Sequence, residues 1–202
     1  MRLRTVAILR GFEPQKAADI AEQCWAIGMD LIEVPVQGAA GWASLETVAG
    51  CSAGRAFGAG TVLTPHDARR AVDLGASVII SPAVDTDVVE AAAAAGAVAL
   101  PGVMTPTDVA TAARLGLGTC KLFPATVVGS GWLKALRGPF PAMGFVAVGG
   151  VDLRNAADYV EAGASGVGLG SSIEVLLGLD DPAGFIADLH SLVERSILAV
   201  PM

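Results

Sequence analysis

The sequence has few charged side chains, few aromatic rings and no long apolar segment. Charged residues make up 16% of its 202 positions and aromatic residues 5%. Its longest apolar stretches, such as VVEAAAAAGAVAL, are interrupted or shorter than the roughly 18 to 20 residues that span a bilayer. The apolar run near the N-terminus, VAIL, is also shorter than the about 7–15 residues of a secretory signal. These absences predict a cytoplasmic protein that does not contact a membrane.

Cysteine and histidine are scarce. The cysteines Cys24, Cys51 and Cys120 are widely spaced and form no CxxC pair, so we expect packing residues rather than disulfides. The histidines His66 and His190 fall on predicted helices among polar or amphipathic positions, and we expect both to lie at the surface. Because no Asp, Glu or His cluster gathers at the predicted strand ends, we expect no metal and no other cofactor.

Positive charge is also in short supply. The net charge is −7, and broad nucleic-acid binding requires clustered Lys and Arg, so we expect no nucleic-acid partner. A small anionic substrate is compatible with this balance, because a local site can be positive on an acidic protein.

Apolar residues are abundant, at 53% of the chain, and they recur in a regular order. Short apolar runs follow one another about every 20 to 28 residues and end in Gly, Pro or a polar residue. They do not alternate with polar residues, which is typical of parallel strands covered on both faces. The eight runs are TVAILR (5–10), LIEVPV (31–36), AFGAG (56–60), SVIISP (77–82), AVALPG (97–102), TCKLFPA (119–125), GFVAVGG (144–150) and GVGLGS (166–171).

The segments between the runs carry helix signals. Thr64-Pro65 and Thr105-Pro106 each combine an N-cap residue with a first-turn proline, while Gly75 and Gly163 are placed to end helices. Strands that alternate with helices predict a parallel sheet, and eight repeats favour a closed (β/α)8 TIM barrel over an open doubly wound sheet. No linker interrupts the pattern, so we predict a single domain over residues 1–202. The other predicted helices are Pro14 to Ile27, Thr86 to Ala95, Leu153 to Ala162 and Pro182 to Leu198.

Three ionisable residues stand among apolar neighbours at predicted strand ends, where such barrels carry their catalytic groups: Arg10, Glu33 and Lys121. A lysine removed from water loses part of its preference for the charged form and can form a Schiff base with a carbonyl. Glu33 could then move protons, and Arg10 could clamp a carboxylate. The alternative is structural, with Glu33 forming salt bridges to Lys121 or Arg10.

Two glycine motifs end the seventh and eighth runs. Gly149-Gly150 follows one, and GLGSS with its predicted short helix, GSSIEVLLG, follows the other. Barrels frequently hold a phosphate between these two loops, on backbone N–H groups. The motifs predict a phosphate subsite, and the alternative is a pair of tight turns.

Together, the motifs VAILRG, LIEVPV, GAGTVLTP, ISPAV, PGVMTPT, KLFPA, AVGGV and GLGSS resemble the KDPG/KHG aldolase family. These are class I aldolases acting on 2-dehydro-3-deoxy-6-phospho sugar acids, and the match runs in order from about Val6 to Ser172. The resemblance implies a homotrimeric (β/α)8 barrel. It also implies cleavage of a phosphorylated sugar acid to pyruvate and D-glyceraldehyde 3-phosphate without a metal.

The resemblance further implies roles for individual residues. Lys121 would be the Schiff-base lysine and Glu33 the proton shuttle. Arg10 and Thr61 would contact the pyruvate-derived end of the substrate. The other implied contacts are Pro82 and Phe123 in the pocket wall, and Gly149, Gly150, Gly170 and Ser171 at the phosphate.

Two positions bear on which epimer of the substrate is used. Gluconate-type members usually have an arginine four residues after the glutamate and a threonine before the glycine pair, where this chain has Gln37 and Val148. The combination EVPVQ and AVGGV is similar to the galactonate branch, which implies a role in galactonate degradation. A gluconate or 4-hydroxy-2-oxoglutarate aldolase is the alternative, because Gln37 departs from the usual residues of both branches.

Two hypotheses come from other functional classes. A phosphate-binding isomerase or epimerase would use Glu33 as a base and Lys121 only as its electrostatic partner, and it would form no trappable imine. A non-catalytic barrel that only binds sugar phosphates would release no pyruvate.

Overall fold

Eight parallel strands close into a barrel in the computed structural model, which describes residues 3–198. Each strand pairs with the next one along the chain, and β1 pairs with β8 to close the ring. The predicted closed parallel barrel is therefore confirmed, and the open sheet is not formed. The strands are β1 (Thr5–Ile8), β2 (Leu31–Pro35), β3 (Phe57–Gly60), β4 (Val78–Ser81), β5 (Val98–Val103), β6 (Thr119–Leu122), β7 (Gly144–Val148) and β8 (Gly166–Leu169).

Helices separate the strands, and two of them, α3 and α5, begin at the predicted caps. The Thr64 side chain accepts a hydrogen bond from the Asp67 N–H, and Thr105 and Asp108 form a reciprocal capping box. No helix among the described residues combines the length and apolar character that a bilayer crossing requires. The helices are α1 (Pro14–Ala26), α2 (Gly38–Cys51), α3 (Pro65–Asp73), α4 (Thr86–Ala94), α5 (Pro106–Arg114), α6 (Ala125–Val128), α7 (Ser130–Arg137), α8 (Ala156–Glu161), α9 (Ile173–Leu177) and α10 (Pro182–Leu198).

Three of these helices, α2, α6 and α7, were not predicted from the sequence. The α2 segment, GAAGWASLETVAGC, contains three glycines, which weaken a helical pattern. Gly129, with φ of 80°, separates the short helices α6 and α7. The helix predicted from Leu153 starts later, at Ala156, because Asp152 and Asn155 hydrogen-bond to each other in a turn.

The strands bury both of their faces, which explains why the apolar runs do not alternate. Val6 and Ile8 of β1 pack with Leu31, Ile80 and Val146 inside the barrel. The residues between them, such as Ala7 of β1 and Ile32 of β2, belong to the larger core shared with the helices. Glu33 and Lys121 are the charged side chains that are buried among the described residues.

One of the two histidine predictions is wrong. His66 lies in α3 with its side chain 80% exposed, as expected. His190 lies in α10 with its side chain only 15% exposed, because its ring meets Thr5 at 2.9 Å and Asp30 at 3.6 Å. An amphipathic helix position does not show which polar groups a side chain will meet across the fold.

The cysteines are free thiols placed in the packing, in line with expectation. Cys24 and Cys120 are buried, and Cys51 is half-buried at the end of α2. Burial raises the pKa of the Cys24 and Cys120 thiols to about 12. Both therefore stay protonated at neutral pH, so neither acts as a nucleophile.

Candidate active site

Lys121 and Glu33 meet inside the barrel near the carboxyl ends of β6 and β2. Their side chains are 4% and 1% exposed, and Lys121 Nζ lies 3.6 Å from Glu33 Oε1. At this distance the two side chains form an ion pair, but the separation is longer than that of an ordinary hydrogen bond. Glu33 Oε1 has no hydrogen-bond partner among the described residues. The acid and the amine are therefore close, and the carboxylate oxygen has an unused lone pair.

The space for this carboxylate depends on a glycine of the neighbouring strand. Gly60, at the end of β3, is so close to Glu33 that a Cβ atom there would overlap the carboxylate. Any side chain at position 60 would displace Glu33 from Lys121.

Lys121 opens onto a cavity of about 390 Å³ at the carboxyl end of the barrel. Most of the predicted site residues line it, including all three ionisable ones. Its lining comprises Ile8, Arg10, Phe12, Glu33, Lys121, Phe123, Val148, Gly149, Gly150, Val151, Gly168, Gly170, Ser171 and Glu174. A volume of this size suits a small metabolite.

Three predicted residues, Thr61, Pro82 and Gln37, are not part of this lining. Pro82 follows β4, and its carbonyl lies so near Gly102 that a Cβ atom there would overlap it. Gln37 borders a smaller neighbouring cavity of about 150 Å³, which shares Arg10 with the larger one. Whether these residues contact a substrate stays a prediction.

Arg10 is held by the residues beside the cavity rather than by Glu33. Its guanidinium donates one hydrogen bond to Gln37 Oε1 and another to Thr61 Oγ1, at 3.3 Å. Thr61 has φ of 58°, which is uncommon for a β-branched residue and a feature that clusters at functional sites. The pairing of Arg10 with Gln37 was not anticipated, because the residues are 27 positions apart in the chain.

The loop after β7 is fixed by hydrogen bonds to its carbonyl oxygens. Gly149 and Gly150 have φ of 98° and 78°. The Thr126 N–H and hydroxyl donate to the Gly149 carbonyl at 3.0 and 2.9 Å, and Asn155 Nδ2 donates to that of Gly150 at 3.2 Å. A Cβ atom at Gly150 would overlap Thr126, so the loop requires glycine there.

Sequence reasoning did not predict four side chains of the cavity wall: Ile8, Phe12, Val151 and Glu174. Phe12 stands two positions after Arg10, so the strand-end pattern already pointed near it. Glu174 lies in the short helix α9, which was predicted, three positions after Ser171. Its partner is Lys16 of α1, whose Nζ is 2.5 Å from Glu174 Oε1. A pair 158 positions apart leaves no local signal in the sequence.

A family model described as KDPG and KHG aldolase matches residues 1–178 of the chain. The chain belongs to this aldolase family. It is therefore a carbon–carbon lyase, as the motifs predicted. The match covers all eight strands and every predicted site residue, from Arg10 to Ser171.

Curated relatives and solved structures agree with this assignment. The chain is 40% identical over 170 residues to a probable 2-dehydro-3-deoxy-6-phosphogalactonate aldolase of Rhizobium meliloti, covering 83% of this chain and 80% of the relative. It is 32% identical to the 2-dehydro-3-deoxy-6-phosphogalactonate aldolase of Escherichia coli, covering 85% of each chain. A solved structure described as native KDPGal aligns with a TM-score of 0.80 at 28% identity, over 98% of this chain and 96% of that one.

Proposed function

We propose that this aldolase cleaves 2-dehydro-3-deoxy-6-phosphogalactonate to pyruvate and D-glyceraldehyde 3-phosphate through a Schiff base. The observation that carries the proposal is the buried pair of Lys121 and Glu33, 3.6 Å apart on the wall of the cavity. The names of the two relatives above supply the substrate.

The bond changes follow from an amine and a carboxylate in contact. Neutral Lys121 Nζ attacks the C2 ketone, and the carbinolamine loses water to give an iminium ion. The iminium accepts the electron pair of the C3–C4 bond, while Glu33 removes the proton of the C4 hydroxyl, directly or through a water. Glyceraldehyde 3-phosphate leaves, C3 of the enamine is protonated, and water hydrolyses the resulting imine to pyruvate and free Lys121.

The remaining residues bind the two charged ends of the substrate. Arg10, supported by Thr61, binds the carboxylate next to C2. The backbone N–H groups of Gly150 and Ser171 bind the phosphate, with Gly149 and Gly170 shaping the loops. Phe123, whose ring centroid is 5.0 Å from Lys121 Nζ, limits the access of water to the amine, and we assign Pro82 to the pocket wall. Gln37 acts on binding through Arg10, to which it is hydrogen-bonded.

Val148 is the residue we propose to select the epimer. It ends β7, is buried and lines the cavity, and its side chain offers no hydrogen-bonding group. Threonine has nearly the same size as valine but carries a hydroxyl in place of one methyl group. This hydroxyl could hydrogen-bond to the C4 hydroxyl of the other epimer.

The test compares kcat/KM for the galactonate and gluconate epimers by measuring pyruvate release. We expect the wild type to favour the galactonate epimer. Val148→Thr should shift the ratio towards the gluconate epimer by about five- to tenfold, the scale of one hydrogen bond. Val148→Ala, which changes volume without adding a hydroxyl, is the matched control. A wild-type preference for the gluconate epimer would overturn the substrate assignment.

We also propose that the protein is a homotrimer in the cytoplasm and that residues 1–202 form one domain. The trimer comes from the resemblance to the aldolase family, and exposed large apolar side chains such as Leu63, Met104 and Val127 are candidates for the contacts between subunits. Light scattering should give three times the chain mass of 20.3 kDa, and a monomeric mass would exclude the trimer.

A further inference from the structure

An acidic side chain lies on the cavity wall beside the loop proposed to bind phosphate. Glu174 is three positions after Ser171, and both residues line the cavity. Its carboxylate side chain is 59% exposed and forms an ion pair with Lys16. A carboxylate beside a bound phosphate repels it, because like charges at short range destabilise each other. The position of Glu174 therefore requires a compensating cation.

Lys16 supplies that cation at the rim of the cavity. Its Nζ lies 2.5 Å from Glu174 Oε1 and 5.2 Å from the ring centroid of Phe12, another lining residue. Lys16 lies in α1, which follows β1, whereas Glu174 lies in α9, which follows the neighbouring strand β8. The Lys16 side chain is 55% exposed. The ammonium group is thus held by a carboxylate and an aromatic face next to the cavity.

The charge balance of the cavity gives this cation a function. The ionisable side chains that line it, among the described residues, are Arg10, Lys121, Glu33 and Glu174. Lys121 must be neutral to attack a carbonyl, which leaves one cation against two carboxylates. The substrate itself brings a carboxylate and a phosphate of about −1.5 to −2 charge at pH 7. Without Lys16, the wall would repel the substrate.

We propose that Lys16 is a specificity-determining residue for phosphorylated substrates and that Glu174 positions it. The incoming phosphate draws the ammonium from Glu174, so the cation follows the charge of the ligand. This inference rests on the proposed function, because it assumes that the phosphate lies between Gly150 and Ser171. It predicts that only the loss of Lys16, and not the loss of Glu174, weakens the preference for a phosphorylated substrate.

The experiment measures condensation of pyruvate with D-glyceraldehyde 3-phosphate and with unphosphorylated D-glyceraldehyde. The readout is the ratio of kcat/KM for the two aldehydes. We expect Lys16→Met to lower this ratio by about three- to tenfold through KM for the phosphorylated aldehyde, and added salt to reduce the effect. Glu174→Gln should leave the ratio unchanged or raise it, since it removes the repulsion and frees Lys16. Lys134→Met, at an exposed position of α7, removes the same charge elsewhere and should leave the ratio unchanged.

Each outcome decides for or against the inference. If the ion pair only joined α1 to α9, Lys16→Met and Glu174→Gln would cause the same change, and both aldehydes would be affected equally. That result would overturn the proposed role of Lys16. An unchanged ratio in Lys16→Met overturns it as well. A wild type that condenses pyruvate with neither aldehyde defeats the proposed function itself, and the role of Lys16 with it. Thermal unfolding of each variant shows whether a loss comes from folding.

Discussion

The two ends of the barrel hold their partly or fully buried charges in different ways. At the amino end, Asp30 accepts hydrogen bonds at 2.8 Å from both the Arg4 backbone N–H and Arg4 Nη2. At the carboxyl end, Lys121 and Glu33 stay 3.6 Å apart, and Glu33 Oε1 has no hydrogen-bond partner among the described residues. A fully hydrogen-bonded pair stabilises the fold, whereas a loosely joined acid and amine keep groups free for a reaction.

The amino-end cluster also ties the last long helix to the barrel. Arg4 Nη1 donates to Glu194 of α10 at 3.1 Å, and the hydroxyl of Thr5 in β1 meets the His190 ring at 2.9 Å. Arg4 precedes β1 and Asp30 precedes β2, so the cluster lies at the opposite end of the strands from Lys121. This placement agrees with the division of such barrels into a stability face and a catalytic face.

Replacing Lys121 with arginine should have the largest effect on activity. Arginine keeps a positive charge beside Glu33 but does not form a Schiff base at neutral pH. We therefore expect kcat for pyruvate release to fall by at least about 10³-fold, as for loss of a covalent nucleophile. A modest loss would instead support the structural interpretation of Lys121 as an ion-pair partner. Circular dichroism should show an unchanged fold.

Glu33→Gln should lower kcat by about 10²- to 10⁴-fold, the range of general acid–base catalysis. Glutamine keeps the size of the side chain but does not accept the C4 hydroxyl proton. Rapid-quench measurement of pyruvate release separates this step from binding. A variant with full kcat would show that another group moves the proton.

Asp30→Asn, at the amino end, should change stability and leave catalysis alone. It removes charged hydrogen bonds to Arg4, so we expect the free energy of unfolding to fall by about 1–3 kcal/mol, with kcat/KM unchanged. Glu33→Gln should cost less stability, because Glu33 Oε1 has no hydrogen bond to lose among the described residues. Urea denaturation of both variants tests the comparison, and a larger loss in Glu33→Gln would reverse it.

His190 should make the amino end sensitive to acid, with the smallest effect of the series. Burial lowers the pKa of His190, although Asp30 opposes the shift. Burial alone would raise the pKa of Asp30, but the hydrogen bonds from Arg4 lower it overall.

The direction of the pH effect follows from these shifts. Because the pKa of His190 is lower in the folded chain, its contribution is complete above the unfolded value of about 6.5 and is lost as the pH falls below it. The melting temperature of His190→Gln should therefore fall less than that of the wild type as the pH is lowered from about 7 to about 5. The same acid dependence in both proteins would assign it to other groups.

Local patterns predicted the barrel, because every strand is covered on both faces and reads as a short apolar run. The same logic located Lys121 and Glu33, since a charge within such a run is conspicuous. The prediction failed where the outcome depends on distant partners. The pairs Lys16 with Glu174 and Arg10 with Gln37 come from separate elements. His190 was misplaced for the same reason, because its partners Thr5 and Asp30 lie more than 150 residues earlier in the chain.

Borohydride reduction in the presence of pyruvate shows directly whether Lys121 forms a Schiff base. The chain has only three lysines, Lys16, Lys121 and Lys134, so mass spectrometry of the reduced and digested protein assigns an adduct without ambiguity. We expect a reduced pyruvate adduct on Lys121 in the wild type and no adduct in Lys121→Arg. An adduct on Lys16 or Lys134, or none in the wild type, would show that Lys121 is not the Schiff-base lysine.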